Sequence, residues 1–204
     1  MNVRLKLAEL QKSRKRRLLP IDESSEMVEQ QHRTELHKMS FDQSRLLLQK
    51  QLNDLTKNPV DGFSAGLVDE SNIYKWQVFI MGPPSSPYEG GNFRAELIFP
   101  KDYPLCPPTM RFISRILHPN IDREGNVCIS ILHEPGDDRF GYEKASERWL
   151  PVHTVETILI SVISMLSDPN FDSPANVDAA KLYRENPTEY KRQVARCVRE
   201  TEEL

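Results

Sequence analysis

The sequence predicts an α+β domain: one helix, an antiparallel meander of strands, then several helices to the C-terminus. Three observations carry that expectation. Phe41, Leu48, Leu52 and Leu55 recur at helical spacing. Between residues 76 and 112, runs of strand-like alternation are separated only by turn material. From Thr154 onward the apolar residues return to a helical period.

Each element has its own signal. Ser40-Phe41-Asp42-Gln43 reads as a capping box that starts the first helix, and Asn58-Pro59 ends it. Trp76, Val78 and Ile80 recur at every second position; Phe93, Ala95, Leu97 and Phe99 do so against Arg94, Glu96 and Ile98; Met110 and Phe112 make the last run. The connectors Gly82-Pro83-Pro84-Ser85-Ser86-Pro87 and Glu89-Gly90-Gly91 are too short for a crossover helix, so adjacent strands pair antiparallel. Pro100, Pro104, Pro107 and Pro108 then stiffen an irregular loop. After Thr154, Ile158, Leu159, Val162, Ile163 and Leu166 form one apolar stripe. Asn176 caps the next helix, and Asn186 with Pro187 launches the last, whose stripe is Tyr190, Val194, Cys197 and Val198.

The chain divides by composition at residue 39. Residues 1 to 17 carry seven Lys or Arg against one acid, and residues 20 to 39 five acids against two bases, so 1–39 reads as a charged extension and 40–204 as the folded domain. The basic run from Lys12 to Arg17 is read as a solvated tail, with a nuclear-localisation patch as the alternative. A net charge of -3 gives no reason to expect nucleic acid. The longest apolar run, from Ile158 to Leu166, is too short to span a bilayer. Three scattered cysteines without a CxxC pair suit a reducing compartment, cytosol or nucleus, and disfavour structural zinc.

Chemistry concentrates in His118-Pro119-Asn120 and Val127-Cys128-Ile129, joined through the turn Asp122-Arg123-Glu124-Gly125. The turn folds the Asn120 amide back towards the Cys128 sulfur, where it would hold an oxyanion or order the loop. No histidine stands at an evident spacing to serve Cys128 as a base, and His118 reads as a structural hydrogen bonder. Histidines 118, 133 and 153 match no metal-ligand pattern. Residues 133 to 148, with five acids and three bases and no period, read as a long mobile loop that positions an amine near the cysteine. Cys106 reads as a loop thiol without acidic or basic neighbours, and Cys197 as a core residue.

At these residues the chain resembles the ubiquitin-conjugating enzymes, through His118-Pro119-Asn120 and Cys128, Tyr88-Glu89-Gly90-Gly91, Phe99-Pro100-Lys101-Asp102-Tyr103-Pro104 and Trp149-Leu150-Pro151. The insert Glu134-Pro135-Gly136-Asp137-Asp138 resembles the acidic-loop subgroup, in particular the G-type enzymes. The resemblance implies the ubiquitin-conjugating (UBC) fold, with a four-stranded antiparallel meander, and a thioester of ubiquitin on Cys128, taken from an activating enzyme and passed to a lysine of a substrate or of another ubiquitin with a RING-type ligase. It implies Leu105, Leu150 and Pro151 as the ligase contact, with core packing as the alternative, and Ile160 and Ser164 as contacts of the carried ubiquitin. Ser130, Asp172, Ser173, Asp137 and Asp138 would support the active-site loop, with Ser130 and Ser173 standing where relatives often have acids. No metal or cofactor is implied, ATP being used upstream. Two other classes share these residues: a non-catalytic ubiquitin- or ligase-binding module, and a cysteine hydrolase. A conjugating enzyme for a ubiquitin-like modifier is a variant of the main reading.

Overall fold

The computed structural model describes residues 42–136 and 143–202. Helix α1 runs over 42–57 and buries Leu48 completely, with Leu52 and Leu55 packed beside it. Ser40 and Phe41 lie outside the described residues. Asn58 leaves the helix before Pro59, whose ring disfavours the α conformation in the residue ahead of it.

Four strands follow: β1 (Phe63–Leu67), β2 (Lys75–Met81), β3 (Asn92–Ile98) and β4 (Thr109–Phe112), in the order β1-β2-β3-β4 and all antiparallel. Register brings Trp76 opposite Leu97, Val78 opposite Ala95 and Ile80 opposite Phe93, then Leu97 opposite Met110 and Ala95 opposite Phe112. One pleat face of β2, β3 and β4 is therefore apolar and buried. Strand β1 has no alternation to announce it. Its sequence FSAGL carries two bulky residues, and its partner β2 supplies the pairing that its composition does not.

Helix α2 (Val155–Ser167) starts at Thr154, whose hydroxyl accepts from Thr157 N while Thr157 Oγ1 accepts from Thr154 N. Its face of Ile158, Leu159, Val162, Met165 and Leu166 joins the sheet and Leu48 in one apolar cluster. Each such side chain contributes about 1.5–3 kcal/mol through burial. Helices α3 (Val177–Glu185) and α4 (Pro187–Glu202) begin at Asn176 and Asn186, whose side chains accept from Ala179 N and Glu189 N. Tyr190, Val194 and Cys197 are buried as the periodicity predicts, and Thr201 Oγ1 accepts from Asn92 N at the start of β3. No helix among the described residues is long and apolar enough to cross a membrane.

The segment expected to be a featureless mobile loop is held at its described ends. Short 3-10 turns form at Ser130–Leu132 and Ala145–Glu147, and Trp149 N donates to His133 O at 3.1 Å. Trp149 itself is fully buried and its indole donates to Pro104 O at 2.8 Å, tying this segment to the proline-rich loop. Asp137, Asp138, Phe140 and Tyr142 lie outside the described residues.

Candidate active site

Cys128 is fixed by backbone on both sides. Phe112 N donates to Gly125 O and Val127 N to Met110 O, so the turn is laid against β4, and Cys128 N donates to Asn120 O at 2.9 Å. Gly125 has φ +92°, and a Cβ there would stand 2.3 Å from Phe112 O. Only glycine permits so close a return of the chain.

His118 is a structural residue, as its sequence context suggests. Its ring is fully buried; Nδ1 accepts from Asn120 N at 2.9 Å, which leaves Nε2 to donate to Met165 O at 2.9 Å. Burial pushes its pKa down to about 4, against the carbonyl bond that favours the cation. The sign follows directly. The unfolded chain protonates this ring below about 6.5 and the folded chain only near 4. Stability is therefore expected to fall by roughly 3 kcal/mol as pH drops through that window. Urea titrations over this range check it: the loss that begins above the carboxylate range should disappear in His118→Gln.

Asn120 does not point a free amide at the sulfur. Its Nδ2 donates to Asn170 O at 2.7 Å and its Oδ1 accepts from Asn170 N at 2.8 Å. Together with Asn176 N donating to Pro119 O, this pair stitches the segment after α2 to the cysteine's own segment. Of the two roles open to Asn120, the observed geometry is that of ordering the loop.

One expectation is overturned: a histidine does stand beside the cysteine. The 3-10 turn Ser130–Leu132 reverses the chain, with His133 N donating to Ser130 O, and brings His133 Nε2 to 3.4 Å from Cys128 Sγ. His133 Nδ1 lies 2.8 Å from both oxygens of Glu143, which also accepts from Ser130 Oγ at 2.9 Å and Arg148 Nε at 3.0 Å. The hydrogen bond to Cys128 and then, against burial, that to Glu143 push the His133 pKa up to about 9. Burial raises the Glu143 carboxyl, but the bonds from His133, Ser130 and Arg148 outweigh it and hold the pKa below its ordinary value. The one signal available in the sequence was that five residues suffice for a single turn back to the cysteine.

A cleft of about 250 Å³ opens here. Cys128, Ser130, His133 and Glu143 meet Ser164, Asp168 and Ser173 across it, with Asn120 also lining it. Pro119 is buried behind. Ile160 is exposed on α2, one turn before Ser164. Asp172 is exposed and does not line the cleft; its backbone N–H donates to Asn170 Oδ1. Leu105, Leu150 and Pro151 are exposed on the two loops that Trp149 joins, so core packing does not account for them, and Val152 adds an exposed neighbour that sequence reading missed. Cys106 is not free of acids: burial, then Glu134 and Asp102, push its thiol up. Among the described residues no three His, Cys, Asp or Glu side chains are grouped to hold a metal ion.

Residues 47–198 match the family model described as ubiquitin-conjugating enzyme. The chain belongs to the ubiquitin-conjugating enzyme family. It is an enzyme that transfers ubiquitin, of the G type. Its similarity to a probable ubiquitin-conjugating enzyme E2 7 of Caenorhabditis elegans is 69% identity, covering 80% of this chain and 99% of that one. Ubiquitin-conjugating enzyme E2 7 of Arabidopsis thaliana is 63% identical, over 79% of this chain and 98% of that one. The solved structure of human ubiquitin-conjugating enzyme E2 G1 superposes with a TM-score of 0.55 at 61% identity, covering 62% of this chain and 96% of the other.

Proposed function

We infer that Cys128 accepts the C-terminal carboxyl of ubiquitin as a thioester from the activating enzyme and passes it to a lysine amine. The acceptor belongs to a protein substrate or to another ubiquitin. The observation that carries this reading is the Cys128 thiol, part-exposed at the cleft with His133 Nε2 beside it. A thioester exchange needs no metal or cofactor of the enzyme's own, since ATP is spent upstream in activating the carboxyl. Asp137 and Asp138, as carboxylates of the insert, attract the acceptor's ammonium and so help to place it.

The test is a charging reaction with ubiquitin, activating enzyme and ATP, read on a non-reducing gel. A band that thiol removes is expected. Cysteine beside a histidine held by a carboxylate is also the arrangement of a cysteine hydrolase, so the same reaction is followed without an amine. A carrier keeps its thioester, whereas a hydrolase releases free ubiquitin at once.

Leu105, Leu150 and Pro151 are assigned to a RING-type ligase, because exposed apolar tips on two joined loops form a docking patch. Leu105→Ala is expected to slow ligase-stimulated discharge by about tenfold, the effect of losing one apolar anchor. Discharge without ligase should not change; a fall there would place Leu105 in the fold and not in the contact. Ile160 and Ser164, exposed on α2, are assigned to the carried ubiquitin.

A further inference from the structure

Glu143 has no part in the thioester exchange as described, yet it is among the most firmly held side chains around Cys128. Its carboxylate gathers Ser130 Oγ, Arg148 Nε and His133 Nδ1 from three directions, and only 18% of its side chain is exposed. Partly buried ion pairs of this kind contribute little net stability, because desolvation offsets the attraction. What the cluster does supply is a fixed direction.

That direction belongs to His133. Its backbone N–H is held by Ser130 O and its carbonyl by Trp149 N, so both sides of the residue are anchored. Facing a carboxylate, Nδ1 carries the hydrogen, and the lone pair of the neutral ring is then on Nε2, aimed at Cys128 Sγ. Glu143 therefore selects the tautomer as well as the orientation.

We propose that Glu143 is a positioning residue for ubiquitin transfer, holding His133 so that Nε2 takes the proton of the attacking amine. The proposal rests on the thioester reading of Cys128. The neutral amine attacks the thioester carbonyl; the C–N bond forms and the C–S bond breaks, leaving its electron pair on Sγ. The amine proton passes to His133 Nε2 and then to Sγ, which restores the thiol and the neutral imidazole without any further reactant. His133 touches the reacting sulfur and is the catalytic residue of the pair.

Among the described residues, the titratable and charged groups around His133 are Cys128, Glu143, Arg148 behind Glu143, and Asp168 across the cleft. Acylation of Cys128 removes the sulfur's share in favouring the imidazolium. Glu143 is then the partner in direct contact that keeps the ring basic enough to accept a proton.

The experiment is single-turnover discharge of the charged enzyme to free lysine across pH, with Glu143→Gln, His133→Gln and the double variant. The ratio of variant to wild-type profiles cancels the amine's own ionisation. Glu143→Gln should charge normally and discharge roughly tenfold more slowly, a part of what a general base contributes. Its rising limb should move to lower pH, and the His133 ring should titrate lower by NMR. The double variant should be no slower than His133→Gln alone. Wild-type discharge by Glu143→Gln at every pH, or full additivity in the double variant, would overturn the proposal. Should Glu143→Gln fail to fold, Ser130→Ala removes one anchor of the carboxylate. A smaller fall that vanishes in the His133→Gln background supports the proposal, and a fall that persists there overturns it. Failure of the wild type to charge at all would instead sink the thioester reading, and shows before any discharge is measured.

Discussion

Cys128→Ser is expected to charge with ubiquitin only as an ester that thiol does not remove, and to give no detectable transfer to lysine. The reason is the leaving group. A thiolate departs readily from an acyl carbon, whereas an alkoxide does not, so the serine version traps what the cysteine version passes on. No other cysteine replaces it. Cys197 is 3% exposed and its thiol is pushed up by burial; Cys106 sits on the proline-rich loop with its thiol raised by burial, Glu134 and Asp102. Charging gels with and without thiol check this, and transfer from Cys128→Ser at the wild-type rate would remove Cys128 from the mechanism.

Asn120→Ala is expected to charge but to discharge to lysine at least tenfold more slowly, and to lose roughly 2 kcal/mol of stability. Its side chain makes two hydrogen bonds to the backbone of Asn170, fifty residues away, and alanine leaves both backbone groups unpaired. The two readouts separate the roles. A defect through loop order moves discharge and the urea midpoint together. An amide acting only on the oxyanion would slow discharge and leave stability where it was.

Much of the fold was legible because its signals are local. The caps at Asn176 and Asn186 lie within three residues of the backbone groups they satisfy, and the alternation in β2, β3 and β4 needs no knowledge of the partner strand. Strand β1 was not legible, because FSAGL has too few bulky residues to show a period. Cys128 and Asn120 were legible as a motif, but the partner of Asn120 was not.

The sequence by itself determined the helices, strands β2 to β4, their order and the nucleophile. The tertiary structure alone decided what surrounds the nucleophile: His133 turned back onto Cys128, Glu143 and Arg148 returned beside it, and Asn170 clasped by Asn120. The physical reason is the kind of interaction each depends on. Apolar periodicity repeats along a helix or strand and can be read from one end of it. A hydrogen bond between side chains ten or fifty residues apart leaves no period, and depends on where the chain between them is made to return.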